Sequence, residues 1–204
     1  MNNLICIGKN YLDHAKELGD VIPTAPVIFL KPYSILVAAT NSKIPLKVTL
    51  PKNHGPVHFE CELVFKLNAD GNPQAFTLGL DLTLRDLQAE LKKKGHPWEL
   101  SKVFPNSAII GPWQPLESTI ESDIQNIMGT EFQFVLDGQL KQIAKGKEMR
   151  FSPSTCISFV QEHFPISEGD LLFTGTPSGV GPLLPGQKAE LIWNGKRLYE
   201  VEFL

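Results

Sequence analysis

Glu60 and Glu62 stand two residues apart in HFECEL, and Asp81 follows in LGLDLTL, an otherwise apolar run. On an extended strand, residues two apart leave the same face, with Cα atoms roughly 6.5 Å apart. Carboxylates that close repel unless a cation or solvent screens them. An unpaired carboxylate inside an apolar run is costly and must find a partner or lose its charge. Two Glu and one Asp make an all-oxygen donor set, the kind that hard cations such as Mg²⁺ take. Zinc calls for His or Cys, and none stands at matching spacing. Two other readings of the same residues stay open at this level. Glu60 and Glu62, with His58 and Lys66 beside them, can form a solvated outer face. Asp81 can help to cap the helix after it.

Three weaker groups add to this set. His14 and Glu17 are three apart on a predicted helix and so share a face, as a proton-transfer pair or as a casual surface pair. Lys102 follows a predicted loop, Trp98–Ser101, where it can meet a substrate carboxylate or be an ordinary solvated lysine. The run Thr174–Gly181 (TGTPSGVG) follows a strand and offers backbone N–H groups and hydroxyls to an anion. It lacks the lysine and the following helix of a nucleotide phosphate loop.

These residues need a scaffold, and the sequence supplies many short strands. Leu4–Ile7 reads as a strand broken by Gly8-Lys9-Asn10, with Asn10 capping a helix over Tyr11–Leu18 that Gly19 ends. Val27–Leu30 and Ile44–Leu50 are further strands. From Val57 to Leu67 every odd position is apolar, which predicts one strand with a single core face. Phe76–Asp81 is its neighbour, and Thr83 opens a helix to about Lys94 with Asp86 as a capping-box-like partner. Ser107–Ile110 is a short strand. Thr130–Leu136 meets the hairpin signal Asp137-Gly138. Ser154–Phe164 is a helix, Asp170–Phe173 a strand, and Lys188–Trp193 with Arg197–Phe203 a closing hairpin. Strands with about three helices predict an α+β, mostly β fold of mixed, largely antiparallel sheets, as one domain over residues 1–204.

Composition excludes several classes. The 204 residues are 42% hydrophobic and 20% charged with a net charge of −3, an ordinary globular balance. The only basic run, Lys92–Lys94, ends a predicted helix, so no nucleic-acid footprint is expected. Cys6, Cys61 and Cys156 have no metal-ligand spacing and read as reduced core thiols of a cytoplasmic protein. No segment approaches the length of a membrane span, and the N-terminal apolar run is too short for a signal peptide.

Taken in order, GKNYLDHAKELG, VIFLKP, HFECEL, LGLDLTLRDLQ, KKKGHPWELSKVF and LLFTGTPSGVGP resemble the fumarylacetoacetate hydrolase family. The likeness runs over nearly the whole chain. It is strongest to the short, single-domain branch of acylpyruvases, oxaloacetate decarboxylases and 2-hydroxyhepta-2,4-diene-1,7-dioate isomerases. The resemblance implies a mixed β-sandwich roll, a homodimer, and a Mg²⁺ or Mn²⁺ site on Glu60, Glu62 and Asp81. It implies that Lys102 meets a small keto-acid substrate, with Arg85, Gln88 and Thr176 as further substrate-binding positions. It gives His14 and Glu17 the role of activating water in hydrolytic members. The chain departs from the family at Lys9, where Arg is frequent, at Leu84, and over Val103–Ser107, a stretch expected near the pocket.

A 2-keto acid can chelate such a metal, which stabilises the enolate as a Lewis acid. Hydrolysis of a carbon–carbon bond in an acylpyruvate-type 2,4-diketo acid, decarboxylation of oxaloacetate and isomerisation all pass through that enolate. The His14–Glu17 pair favours hydrolysis, with oxaloacetate decarboxylation second. Readings of another class are a non-catalytic metal-binding β domain, and a glycosidase using Glu60 and Glu62, which would need an aromatic sugar cleft that the sequence does not suggest.

Overall fold

The computed structural model describes residues 2–17, 19, 21–52, 54–116 and 120–204, except the side chains of residues 120 and 121. In chain order, β1 (Asn3–Gly8) leads to helix α1 (Leu12–Glu17), β2 (Val27–Pro32), a 3₁₀ turn (Tyr33–Ile35), β3 (Leu36–Ala38) and β4 (Leu46–Val48). The central segment is β5 (Val57–Phe59), β6 (Cys61–Leu67), β7 (Pro73–Asp81) and β8 (Thr83–Leu84), followed by α2 (Arg85–Lys93), α3 (Glu99–Lys102), β9 (Ala108–Ile110) and β10 (Gln114–Pro115). Then come α4 (Ile120–Gly129), β11 (Glu131–Leu136), β12 (Gln139–Lys145), a second 3₁₀ turn (Gly146–Glu148) and α5 (Pro153–Gln161). The chain closes with β13 (Leu171–Phe173), β14 (Gly181–Leu183), β15 (Lys188–Trp193) and β16 (Lys196–Phe203).

The strands form three sheets. The largest runs β2-β1-β13-β6-β7-β9-β3, with β10 beside β7. The second runs β12-β11-β15-β16-β4, and the third is β14-β5-β8. Among the described residues only β1/β13, β3/β9 and β4/β16 pair in parallel. This is the mixed, largely antiparallel β architecture expected from sequence. The two hairpin turns hold as well: Asp137-Gly138 and Asn194-Gly195 have positive φ at both residues, the conformation that a two-residue type I′ turn requires.

Several local expectations change. The predicted strand Val57–Leu67 is two strands, β5 and β6, interrupted at Glu60, where the chain passes from the three-stranded to the eight-stranded sheet. Its even positions are not a solvent face either. Glu60, Glu62 and Val64 are buried together with Cys61, Leu63 and Phe65. Two apolar clusters account for this. The main core takes Cys61, Leu63, Phe65 and Leu67. A second cluster on the opposite face joins Val64 to Leu4, Cys6, Phe29, Ile35 and Phe173. Strict alternation identified the first face, and residues distant in sequence supplied the second.

Thr83 does not open a helix. It lies in β8, and α2 starts at Arg85 with Leu84 as an N-cap that makes no side-chain hydrogen bond. The predicted loop before Lys102 is helix α3. Asn10 does not cap α1: its amide hydrogen-bonds the Phe151 and Thr174 carbonyls, and its oxygen accepts from Phe151 N. Leu18, the predicted end of that helix, lies outside the described residues. There are five α-helices among the described residues rather than three.

The sheets meet close to the acidic residues. Phe59, next to Glu60, stacks on Phe134 of β11 with ring centroids 4.4 Å apart, and both rings are buried. Gly79 is paired with Glu62 across β6 and β7. A Cβ there would lie 2.7 Å from Val64 Cγ2 and 2.8 Å from the Ile109 carbonyl oxygen, so only glycine fits. Truncating Phe134 removes the ring that packs behind the acidic strand. Phe134→Ala is expected to lower unfolding stability by about 3–5 kcal/mol, measured by urea denaturation. A loss below about 1 kcal/mol would contradict this packing.

Candidate active site

The site gathers at the ends of β6 and β7. Glu60 occupies the crossing between sheets, Glu62 follows on β6, and Asp81 ends β7, its N–H donating to the Glu60 carbonyl over 2.9 Å. All three side chains are buried, and each offers an oxygen within 4.8 Å of the other two. The solvated-face reading of the glutamates is therefore overturned. So is the helix-cap reading of Asp81, because the helix begins beyond it and has no side-chain cap.

Three buried carboxylates require countercharge. Lys102 supplies much of it. Its Nζ lies 2.7 Å from Glu60 Oε2, 2.7 Å from Asp81 Oδ2 and 2.7 Å from Thr83 Oγ1. A solvated lysine is thus excluded. Burial disfavours its charge, but Asp81 and Glu60 outweigh that and hold the ammonium above its ordinary pKa. Arg85 on α2 pairs with Glu60 Oε1 and also donates to Gln88 Oε1 at 2.7 Å. Burial pushes the Glu60 carboxyl up, yet Lys102 and Arg85 reverse the balance and leave it well below the usual range.

Lys31, in the apolar strand β2, completes the set. Its Nζ is 2.5 Å from Asp81 Oδ1, while its hydrogen bonds go to the carbonyls of Ser107 at 2.7 Å and Leu82 at 3.3 Å. Asp81 Oδ1 therefore has an ionic neighbour without a well-directed hydrogen bond.

Glu62 has no such cation among the described residues. Its one hydrogen bond comes from Gly175 N at 2.7 Å. Burial, then Asp81 and Glu60, push its carboxyl well above the ordinary value. A divalent cation fits this arrangement, because it would give Glu62 the opposite charge it lacks through an all-oxygen donor set.

The remaining predicted residues converge on the same place. His14, Glu60, Glu62, Asp81, Arg85, Gln88, Lys102 and Thr176 all line one narrow cleft. Its interior of about 30 Å³ has room for about two waters. His14 is buried, and its Nδ1 meets Glu17 Oε2 at 3.1 Å. Glu17 in turn accepts from Gly179 N at 3.1 Å. The N–H groups of the 174–181 loop thus serve the chain's own carboxylates, Gly175 for Glu62 and Gly179 for Glu17. Thr176 lines the cleft, but its hydroxyl donates to the Cys61 carbonyl at 2.9 Å.

The unusual stretch Val103–Ser107 contributes no side chain to the cleft lining. It acts from behind: the Ser107 hydroxyl donates to the Lys102 carbonyl, and the Ser107 carbonyl accepts from Lys31. Sequence reasoning missed Lys31 and Thr83 as site residues, and it noted Lys9 only as a departure. A lysine inside the buried-type strand VIFLKP was the available signal for Lys31.

Residues 3–202 match the family model described as Fumarylacetoacetate (FAA) hydrolase C-terminal. The chain belongs to the fumarylacetoacetate hydrolase family. Among its relatives is "Oxaloacetate tautomerase YcgM" of Escherichia coli, 32% identical over 97% of this chain and 91% of that one. "Oxaloacetate decarboxylase, mitochondrial" of Dictyostelium discoideum is 34% identical over 90% of this chain and 85% of that one. The fold is also that of fumarylpyruvate hydrolase from Pseudomonas aeruginosa, solved with Mn²⁺ and pyruvate. There the TM-score is 0.89 at 30% identity, covering 100% of this chain and 90% of that one. The chain is an enzyme of this family, with a buried acidic triad able to hold a divalent metal. No helix among the described residues is long and apolar enough to cross a membrane.

A cation that binds only the folded protein stabilises it, by about 2.7 kcal/mol at one hundred times its Kd. Mg²⁺ or Mn²⁺ at that excess should raise the melting temperature by roughly 5–10 °C. Glu62→Ala should abolish the rise, and an equal rise in that variant would exclude Glu62 as a ligand.

Proposed function

We propose that this enzyme moves a proton at the carbon beside the ketone of a small dicarboxylic 2-keto acid of the oxaloacetate type. The outcome is keto–enol interconversion; the same site would also support decarboxylation, in which the bond to the distal carboxylate breaks, CO₂ leaves and the resulting enolate takes a proton. One observation carries the reading: His14 is buried in the same cleft as Glu60, Glu62 and Asp81. A divalent cation, Mg²⁺ or Mn²⁺, held by those three carboxylates would supply Lewis acidity to a keto acid.

The chain's own groups do the rest. Glu17 takes the hydrogen bond of His14 Nδ1, which leaves Nε2 as the basic nitrogen. Glu17 also stabilises the imidazolium once the proton has moved. Gly179 N–H holds Glu17 in place. Lys102, anchored by Glu60 and Asp81, offers positive charge beside the reacting carbonyl.

Charge favours a dianion. Lys9, Arg85, Lys92 and Lys102 all line the cleft, and a divalent cation would add further positive charge. Lys9 and Lys92 place their ammonium groups 5.9 and 5.1 Å from the centroid of Trp98, which also lines the cleft. Hydrolysis of an acylpyruvate is the second reading, and the His14–Glu17 pair favours it, because the same base can take a proton from water.

Steady-state kinetics with saturating Mg²⁺ test the assigned base and the dicarboxylate preference. His14→Ala should lower oxaloacetate tautomerisation and any acylpyruvate hydrolysis by about 10²-fold or more, and decarboxylation much less. Undiminished tautomerisation and hydrolysis would remove His14 as the base. Lys92→Met should raise KM for oxaloacetate about tenfold, the loss of one charge-assisted contact, and leave KM for acetylpyruvate, a monoanion, unchanged. An equal effect on both substrates would remove the dicarboxylate assignment.

A further inference from the structure

We infer that Gln142 is a positioning residue for the metal ligands: its side-chain amide fixes the Cys61 peptide, and with it the convergence of Glu60 and Glu62. The inference rests on the metal reading proposed above.

Cys61 lies between the two glutamates, where the chain leaves the three-stranded sheet and enters the eight-stranded one. At that crossing its N–H is held by a side chain, Gln142 Oε1, at 3.0 Å. Gln142 Nε2 donates to Thr176 Oγ1 at 2.8 Å and to the Pro177 carbonyl at 2.8 Å. The amide orientation is fixed by its partners, because Cys61 N can only donate and Pro177 O can only accept. Thr176 Oγ1 closes the loop by donating to the Cys61 carbonyl at 2.9 Å. Both polar groups of the Cys61 residue are thus held by the Gln142–Thr176 pair.

The backbone shows why this glutamine points inward. In the β11/β12 pairing, Phe134 faces Gln142 and Val135 faces Leu140, so Lys141 is an extra, bulged residue. Bulges re-aim neighbouring side chains and recur beside active sites. This one leaves Gln142 buried in a core row with Phe132, Phe134 and Ala144. A methionine of similar size would pack there with no polar atom to satisfy, but it would leave the Cys61 N–H and the Pro177 carbonyl unpaired. The same strand also packs against the loop that carries Gly179. A Cβ on Gly179 would lie 2.1 Å from the Lys141 carbonyl oxygen, and Gly179 N–H is the group that holds Glu17. One bulged strand, from a different sheet, therefore braces both the glutamate ligands and the loop beside the proton-transfer pair.

The test is calorimetric titration of Mg²⁺ and of Mn²⁺ into the wild type and Gln142→Met. Residues that orient metal ligands affect affinity by about 10–100-fold, and Gln142→Met is expected to bind that much more weakly. Leu136→Ala is the control for stability alone. It truncates a core residue on β11 and should lower the melting temperature while keeping the wild-type Kd. Wild-type affinity in folded Gln142→Met would overturn the inference. If Gln142→Met does not fold, Gln142→Asn keeps the amide one methylene short and should still weaken binding several-fold; unchanged affinity there overturns the inference equally. Failure of the wild type itself to bind either ion would instead refute the metal reading. Hydrogen exchange of the unmodified protein then decides on Gln142 alone. The Cys61 amide should be protected like its β6 neighbours, and exchange at a loop-like rate would show that the side chain does not hold it.

Discussion

Burying three carboxylates within 4.8 Å of one another is the constraint on which this structure turns. Left alone, that much negative charge in a low-dielectric interior is untenable, and the groups would protonate or the chain would open. Three cations approach the triad from different parts of the chain: Lys31 from β2, Arg85 from α2 and Lys102 from α3. They are distributed unevenly. Glu60 and Asp81 receive all the cationic contacts, whereas Glu62 has a backbone N–H and the repulsion of its neighbours. A divalent cation would offset that imbalance, and this sets the triad apart from a fully compensated structural ion cluster.

Much of the surrounding architecture follows from holding those charges in place. β6 and β7 set Glu62 opposite Gly79, where no side chain competes for space. The crossing at Glu60 turns one strand into two, and Glu60 at the break and Glu62 just beyond it both line the cleft. The 174–181 loop supplies one N–H to Glu62 of the triad and another to Glu17 behind His14. These contacts tie the acidic triad to the His14–Glu17 pair through backbone rather than through long side chains, which lose more freedom when they are ordered.

The sequence made the triad visible because its residues are close along the chain and because Asp81 interrupts an apolar run. The His14–Glu17 pair was legible for the same reason, being one helical turn apart. Lys31 and Gln142 were not, since their roles depend on partners 50 and 81 residues away (Asp81 and Cys61). Alternation revealed one buried face of the Val57–Leu67 segment but not the second, because Leu4, Ile35 and Phe173 cover it only after folding. The Thr83 capping signal failed because tertiary contacts with Lys102 and the Asp81 carbonyl recruited its hydroxyl into the site. Local patterns thus named the chemistry, and long-range contacts decided which charges were compensated.

The claim that carries the account is that Glu60, Glu62 and Asp81 jointly hold a divalent cation. A crystal soaked in Mn²⁺ and measured near the manganese absorption edge tests it most directly. The account predicts one strong anomalous peak bonded to an oxygen of each of the three carboxylates. A map with no peak there, and with Lys102 still bridging Glu60 and Asp81, would contradict it.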